Sequence, residues 1–532
     1  MKISFGVPVI ILKEDTEDVK EKEARRRNIN AMMAIAETVK STLGPKGMAK
    51  MIVDSVGDIT ITNDGAEILK KLDIENVAAI MMVNIAKAMD SDIGDGTTAV
   101  VIFCSQLLKN ALDLIEQDLH PKHIITGYKI ASEKARELVK EIAVKISKDD
   151  NQVLKNAALT AMNSKDIAPM REFFAELALN AIKNIADENT FQKVENIKII
   201  KAKGKSLSNS ELISGVYIDK EKVNSGMPDK LNNVKIAVIR KKLDIVKTEF
   251  DASIQIFKPE DMQKFLDQED KMLQDKLNIF KNLGVKMIVN NNDISDKFGA
   301  YLAKEGIAAI KNVGESDYKG ILKATGAKFI DDINLMTEDD LGYADLVEFK
   351  KVGDKDYTIF EGCKNPKCVS ILLKGGLENI LTTAEITLND VLSVVAKIVD
   401  TQLVVAGGGA IYIELAKRLK SYAKEISGRA QLAVESFALA LEEIPRTLIR
   451  NAGLDEIEKI TELRAAHKTN EDKWIGIDTI TNTIGDNFKK GIIEPAELII
   501  HILKSGSELA NLVLRVDRII SAKNAGKGGF QP

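Results

Sequence analysis

Four short segments carry residue types that could hold a nucleotide and split its phosphates. Leu43-Gly44-Pro45-Lys46-Gly47 sets two glycines at the end of a helical stretch, where bare main chain can approach an anion and turn its N–H groups toward it. Asn63-Asp64-Gly65 places a carboxylate on a tight turn after a short strand. Gly94-Asp95-Gly96-Thr97-Thr98 brings a carboxylate, backbone amides and two hydroxyls to a helix start. Free N–H groups and the macrodipole favour phosphate there, and an aspartate suits Mg2+. Ala406-Gly407-Gly408-Gly409 joins a strand to another helix start. Each segment alone reads more simply as a turn; together they supply the glycine-rich approaches and acidic turns of a nucleotide site. Gly204-Lys205-Ser206 resembles the end of a phosphate-binding loop, but Ile199 stands where that loop needs its first glycine, and no strand-to-helix turn surrounds it.

The elements that must position these segments follow from hydrophobic spacing. From Glu17 to Leu43, apolar residues at Ile29, Met32, Met33, Ala36, Val39 and Leu43 predict one buried helix face, stopped by Gly44-Pro45. Short strands are expected at Met51–Val53 and Ile59–Ile61, then helices at Ala78–Met89 and from Thr97, as its cap, to about Gln117. The middle alternates strand and helix: Val234–Ile239, a helix opened by Pro259, Val285–Val289, Ser295–Glu305 and Ile307–Ile310. That order predicts a parallel sheet. Leu403–Val405 reads as a strand, and helices return at Ala410–Tyr422, Gln431–Leu441, Ile444–Ala452 and Pro495–Ile520. Both helical ends therefore belong to one domain, with the α/β middle inserted into it.

The chain has 532 residues, enough for about three domains. It is 45% hydrophobic and only 5% aromatic, so aliphatic side chains and Met must fill the core. With 75 Lys+Arg against 79 Asp+Glu, it lacks the basic excess of a dedicated nucleic-acid binder. Cys104, Cys363 and Cys368 are too few for a disulfide framework and lack the further ligands of a zinc site. No apolar run of membrane-spanning length and no leader pattern stand out, so a cytoplasmic protein is expected.

The series LGPKG, TNDGA, GDGTT, AGGGA and IIEP, in this order and with Asn389-Asp390 before AGGGA, resembles that of a chaperonin. Val7-Pro8-Val9, His120-Pro121, Gly226-Met227-Pro228, Glu361–Pro366, Ile444–Thr447, Asn451–Asp455 and Leu463–His467 narrow the likeness to group II, most similar to archaeal thermosome subunits. It runs from about Gly6 to about Ala522. The resemblance implies a multidomain α+β chaperonin fold. A mostly helical equatorial domain would come from 1–149 and 401–532. A small α/β intermediate domain would take 150–219 and 367–400. An apical α/β domain at 220–366 would carry a helical lid protrusion at about Leu243–Leu277.

The same resemblance assigns roles. Thr42, Leu43, Gly44 and Pro45 would touch phosphates; Asp95 would hold Mg2+; Gly96, Thr97 and Thr98 would cradle the β- and γ-phosphates; Gly408 and Gly409 would lie against the ribose; Glu494 would hold ribose or base. Asp64 would position the attacking water, Asp390 would act on it as base, and Lys165 would sense the γ-phosphate. On residue type alone, Asp390 is an exposed helical aspartate. ATP and Mg2+ are thus the implied cofactors, with K+ a further ion the family admits. The implied partners are unfolded or partly folded proteins and further copies, of one or several paralogous types, in two stacked rings of eight; neither nucleic acid nor membrane is one. Phe250, Ile254, Ile256, Met262 and Phe265 are either client contacts of the protrusion or core.

Three segments depart from the family pattern. Glu67 stands where Thr is common, Ile386 where Arg is common, and Lys374-Gly375-Gly376-Leu377 replaces Arg-Gly-Gly-Thr. The leading function is an ATP-driven foldase. Glu67 and Ile386 keep a non-hydrolysing structural or holdase subunit as the alternative. A small-molecule kinase using the same glycine loops is the third reading, opposed by the full-length pattern.

Overall fold

The computed structural model describes residues 16–53, 57, 59–163, 170–186, 190–204, 206–213, 215–244, 259–352, 355–363 and 369–522. Val7-Pro8-Val9, Lys165, Phe250, Ile254, Ile256 and Cys368 lie outside them, as do the side chains of Met262 and Phe265. Two compact units divide the chain: 1–168 with 401–532, and 169–400.

The first unit opens with β1 (Thr16–Lys20), α1 (Glu21–Lys40), β2 (Lys50–Val53), β3 (Ile59–Thr62), α2 (Gly65–Lys71), α3 (Val77–Asp92), α4 (Thr97–Glu116), α5 (Pro121–Ile142), β4 (Val144–Lys145) and α6 (Asn151–Met162). Start signals sit where the physics wants them. Asn76 accepts the Ala79 N–H at the head of α3, and His120 Nδ1 accepts from Lys122 at the head of α5, whose first residue is Pro121. Two expectations fail here. The helix predicted from Glu17 begins at Glu21, and α3 runs past Met89 to Asp92.

The second unit continues with α7 (Arg171–Ile185), β5 (Ile197–Lys203), β6 (Glu211–Ile213), β7 (Gly215–Ile218), β8 (Lys230–Ile239), α8 (Pro259–Asn282), β9 (Val285–Asn290), α9 (Asp296–Lys304), β10 (Ala308–Ile310), α10 (Glu315–Thr325), β11 (Phe329–Ile330), β12 (Gly342–Val352), β13 (Lys355–Cys363), β14 (Val369–Gly375) and α11 (Glu378–Thr401). Its larger sheet runs β10-β9-β8-β12-β13-β7, with β11 also on β8. The expected parallel sheet is only half of it: β8, β9, β10 and β11 are parallel, while β12, β13 and β7 join antiparallel. The short link between β12 and β13 permits only a hairpin. The parallel half is apolar on both faces, with Ile236–Ile239 wholly buried. A smaller sheet, β5-β14-β6, stands apart.

The chain then returns to the first unit through β15 (Leu403–Ala406), α12 (Ala410–Ala423), α13 (Ala430–Leu441), α14 (Glu443–Asn451), α15 (Glu456–Ala466), β16 (Ile475–Asp478), β17 (Thr483–Asp486), β18 (Ile493–Pro495), α16 (Ala496–Leu514) and β19 (Arg518–Ala522). The helix expected to reach Ile520 thus stops at Leu514. Residues 518–522 pair antiparallel with β1, from Thr16↔Ala522 to Lys20↔Arg518.

The helix α4 is the hub of this unit. By length and composition it could cross a membrane, which the sequence reading missed, yet most of it is buried inside the unit. Phe103 meets the Phe437 ring edge-on at 5.3 Å, and Phe437 in turn meets Tyr128 at 5.8 Å. The same Phe103 packs so closely on α16 that a Cβ on Gly506 would lie 2.7 Å from its Cδ1. We expect Gly506→Leu to destabilise the protein by about 1–3 kcal/mol through overpacking, measured by denaturant unfolding.

Candidate nucleotide site

The head of α4 is shaped by Gly96. It caps the helix in a left-handed conformation, φ +80°, with no side-chain cap bond, so Thr97 is the first helical residue rather than the cap. A Cβ at position 96 would lie 2.5 Å from Leu498 Cδ1 of α16, so both backbone shape and space demand glycine. Asp95 Oδ1 accepts the Gly96 N–H at 2.6 Å, which fixes the carboxylate beside the helix start. Thr97 and Thr98 are buried. Gly65 packs directly on their hydroxyls, with no room for a side chain. The turn before α2 therefore lies against the start of α4. Asp64 caps α2, its Oδ1 accepting the Glu67 N–H at 2.8 Å, so the carboxylate direction is set by the helix it starts. Glu67, the departure from the family pattern, sits in that first turn, where the dipole favours an acid.

Glu494 approaches from the other side. It lies on β18, which pairs with β15 and so leads into the glycine turn: Val405 stands opposite Glu494. A Cβ on Gly407 would lie 2.6 Å from the Glu494 carboxylate. Burial and the nearby Asp95 charge push this carboxyl up from its ordinary 4.5 to about 7, partly offset by the Gly408 N–H. The same two carboxylates, with burial, raise the Tyr412 hydroxyl well above its usual value. Asp95, Glu494 and Tyr412 therefore share one electrostatic neighbourhood.

One short helix joins the two glycine turns. Pro445 of α14 occupies the space a Cβ of Gly409 would need, 2.6 Å away, and Leu448, one turn on, occupies that of Gly44. Gly44 holds φ +83° at the bend after α1. Thr42, buried, donates to the Val39 carbonyl at 2.7 Å, and Gly47 N–H closes the turn on the Gly44 carbonyl at 2.9 Å. Lys40 anchors the α1 end to Glu443 of α14 at 2.7 Å, both side chains mostly buried.

The first unit thus links the residues at 42–45, 64, 95–98, 408–409 and 494 through a continuous series of close contacts. Asp390 lies on α11 of the second unit and is 9% exposed, not the exposed helical aspartate its residue type alone suggests. Sequence reasoning missed three site-shaping side chains. Leu448 and Asn451 sit on or next to motifs quoted only for resemblance, and Asn487 carried no signal at all. Asn451 Nδ2 donates to the carbonyls of Lys40 and Leu43, at 3.0 and 2.9 Å, and Asn487 Nδ2 to those of Gly407 and Ile477, at 3.0 and 3.3 Å.

These residues fit Mg-ATP. Main chain stripped of side chains lines both turns, and the donor set at 95–98 is all oxygen and N–H. Among the described residues no group of three or more His, Cys, Asp or Glu could hold a metal alone. That suits Mg2+, which takes one or two carboxylates and completes its shell from phosphates and water.

The sequence profile of the TCP-1/cpn60 chaperonin family matches residues 35–524. Thermosome subunit beta of Thermococcus kodakarensis is 45% identical over 99% of this chain and 98% of its own length. A thermosome subunit of Pyrococcus horikoshii is 45% identical over 98% and 97%, and thermosome subunit beta of Archaeoglobus fulgidus 44% over 98% and 96%.

The raised Glu494 carboxyl has a signature in stability. Between about pH 4.5 and 7 the folded protein keeps a proton that the unfolded chain releases, so this group makes stability fall as pH rises through that window. Glu494→Gln removes the effect. In nucleotide-free protein, its melting temperature relative to wild type should climb from pH 4.5 to 7; a flat difference would contradict the environment described for Glu494.

Proposed function

Because the chain belongs to the TCP-1/cpn60 chaperonin family, we propose that its first unit binds and hydrolyses Mg-ATP in the cradle between the two glycine turns. The protein is a group II chaperonin subunit, an ATP-hydrolysing molecular chaperone that assists protein folding. The observation that carries the site assignment is the packing of Gly65 on the Thr97 and Thr98 hydroxyls. It puts one carboxylate turn against the donor-rich start of α4.

In this reading Asp95 holds Mg2+, which when bound neutralises charge on the phosphates. The N–H groups and hydroxyls of Thr97 and Thr98, beside the bare main chain of Gly96, receive the β- and γ-phosphate oxygens at the positive end of α4. The main chain of Thr42–Pro45 faces the phosphates, while Gly408, Gly409 and Glu494 hold the ribose side. Asp64, its direction fixed by capping α2, orients the attacking water. Asp390 takes the proton from that water, and Lys165 senses the γ-phosphate, both by family resemblance. Dependence of hydrolysis on a base from the second unit would tie chemistry to movement.

The particle we propose is two stacked rings of eight 58.4 kDa chains, cytoplasmic, enclosing non-native protein. The β2–β3 hairpin supports self-association. Met51, Val53, Ile59 and Ile61 are each 60–66% exposed on two short paired strands, more apolar surface than a lone subunit gains from leaving in water.

Two measurements test this. Asp390→Ala should keep ring-sized particles and ADP binding while turnover falls at least ~100-fold, the usual scale for a general base. Large rings with no wild-type turnover would instead favour the non-hydrolysing subunit. Ile61→Asp should shift the particle toward smaller species in gel filtration while helical circular dichroism is retained; unchanged rings would remove the hairpin from the contact.

A further inference from the structure

The two asparagines that the sequence motifs left without a role share one geometry. Each spends both hydrogens of its side-chain amide on two main-chain carbonyls, in or beside one glycine turn. We propose that Asn451 and Asn487 are the positioning residues that hold the phosphate turn and the ribose turn in binding shape before nucleotide arrives. The inference rests on the assignment of Gly44 to the phosphates and Gly408 to the ribose made above.

Asn451 stands just beyond the bend that ends α1. The last carbonyls of a helix have no partner within it. Asn451 Nδ2 takes two carbonyls of this exit, Lys40 and Leu43, and so pins both ends of the segment that leads into Gly44. Because Asn451 ends α14, and Leu448 of the same helix fills the space beside Gly44, the turn is fixed from one rigid element by a contact and two hydrogen bonds.

Asn487 closes a ring of hydrogen bonds around the other turn. Its main-chain carbonyl accepts from Ile492 N–H, the Ile492 carbonyl accepts from Gly407 N–H, and the Gly407 carbonyl accepts from Asn487 Nδ2, at 2.9, 2.9 and 3.0 Å. Its second hydrogen reaches Ile477, whose own N–H holds the Gly408 carbonyl at 2.9 Å. The residue is completely buried, and its Oδ1 has no hydrogen-bond partner among the described residues. A leucine of similar volume would avoid that unpaired acceptor. The two donated bonds are therefore what an asparagine supplies at this position that an apolar residue cannot.

The test uses assembled protein, with ADP affinity by calorimetry and steady-state ATP turnover. Asn451→Ala and Asn487→Leu should each weaken ADP binding about tenfold, the loss expected for one or two neutral hydrogen bonds. Turnover should then separate them. Ribose contacts are equal in ground and transition states, so Asn487→Leu should raise KM and leave kcat. Asn451→Ala should lower kcat as well, because charge develops on the phosphates. Wild-type ADP affinity in either variant, with or without a lower melting temperature, would overturn the inference and leave the nucleotide reading standing. Failure of the wild-type protein to bind ADP would overturn that reading and this inference together. Should either variant fail to assemble, Asn451→Ser and Asn487→Ser, which keep one short donor, are expected to show the same pattern at smaller size.

Discussion

The first unit depends on main chain coming closer to its neighbours than any side chain would allow. Leu448 lies where a Cβ of Gly44 would be, the Thr98 hydroxyl where one of Gly65 would be, Leu498 crowds Gly96, and Pro445 crowds Gly409. Each approach puts a helix or strand hard against a turn. Glycine at those turns leaves bare main chain, which an anion can approach closely. The hydrophobic core serves the same end: α4 is buried along most of its length, and Asp95 and Thr97 stand at its head, so the burial of Phe103 and its neighbours fixes where that carboxylate and hydroxyl lie.

Charge is treated differently from shape. The buried carboxylates away from the site are heavily paired. Glu414 meets Arg418 at 2.7 Å and His467 at 3.0 Å, and Glu442 meets Lys420 at 2.7 Å as well as Arg464. Cations and hydrogen bonds hold both below the usual carboxylate range against the opposing effect of burial. Glu494 has the reverse character, a half-buried acid whose chief electrostatic neighbour is another acid. Such an arrangement is costly in a purely structural core and is typical of a site awaiting a positive partner.

Long amphipathic helices could be read from the sequence because their signal is local. The helices α4, α12 and α13 fall within a residue or two of their predicted bounds. What escaped were features whose cause lies elsewhere in the chain. Residues 17–20 read as helix because nothing near them announces a partner at 518–521. The larger sheet read as wholly parallel because alternation of strand and helix is visible over β8, β9 and β10, whereas the β12–β13 hairpin has no apolar alternation strong enough to declare it. The candidate site residues stand in short motifs that crowd glycine and acid together, and their roles come from the family resemblance. Asn487 was invisible, since an asparagine in a polar stretch looks like any loop residue until the carbonyls it serves are known. The burial of Asp390 likewise depends on packing that its own sequence does not show.

The pairing of β1 with β19 joins the beginning of the described chain to its end, Thr16 opposite Ala522. On a ribosome these strands are made nearly a full synthesis time apart. The leading strand, and with it the face of α1 that α16 helps to cover, must wait without its partner while the whole second unit is made and is free to fold. The cradle proposed for nucleotide draws on segments from both sides of that interval, so it can form only on a chain that is nearly finished. A truncated product would carry a foldable insert but no engine.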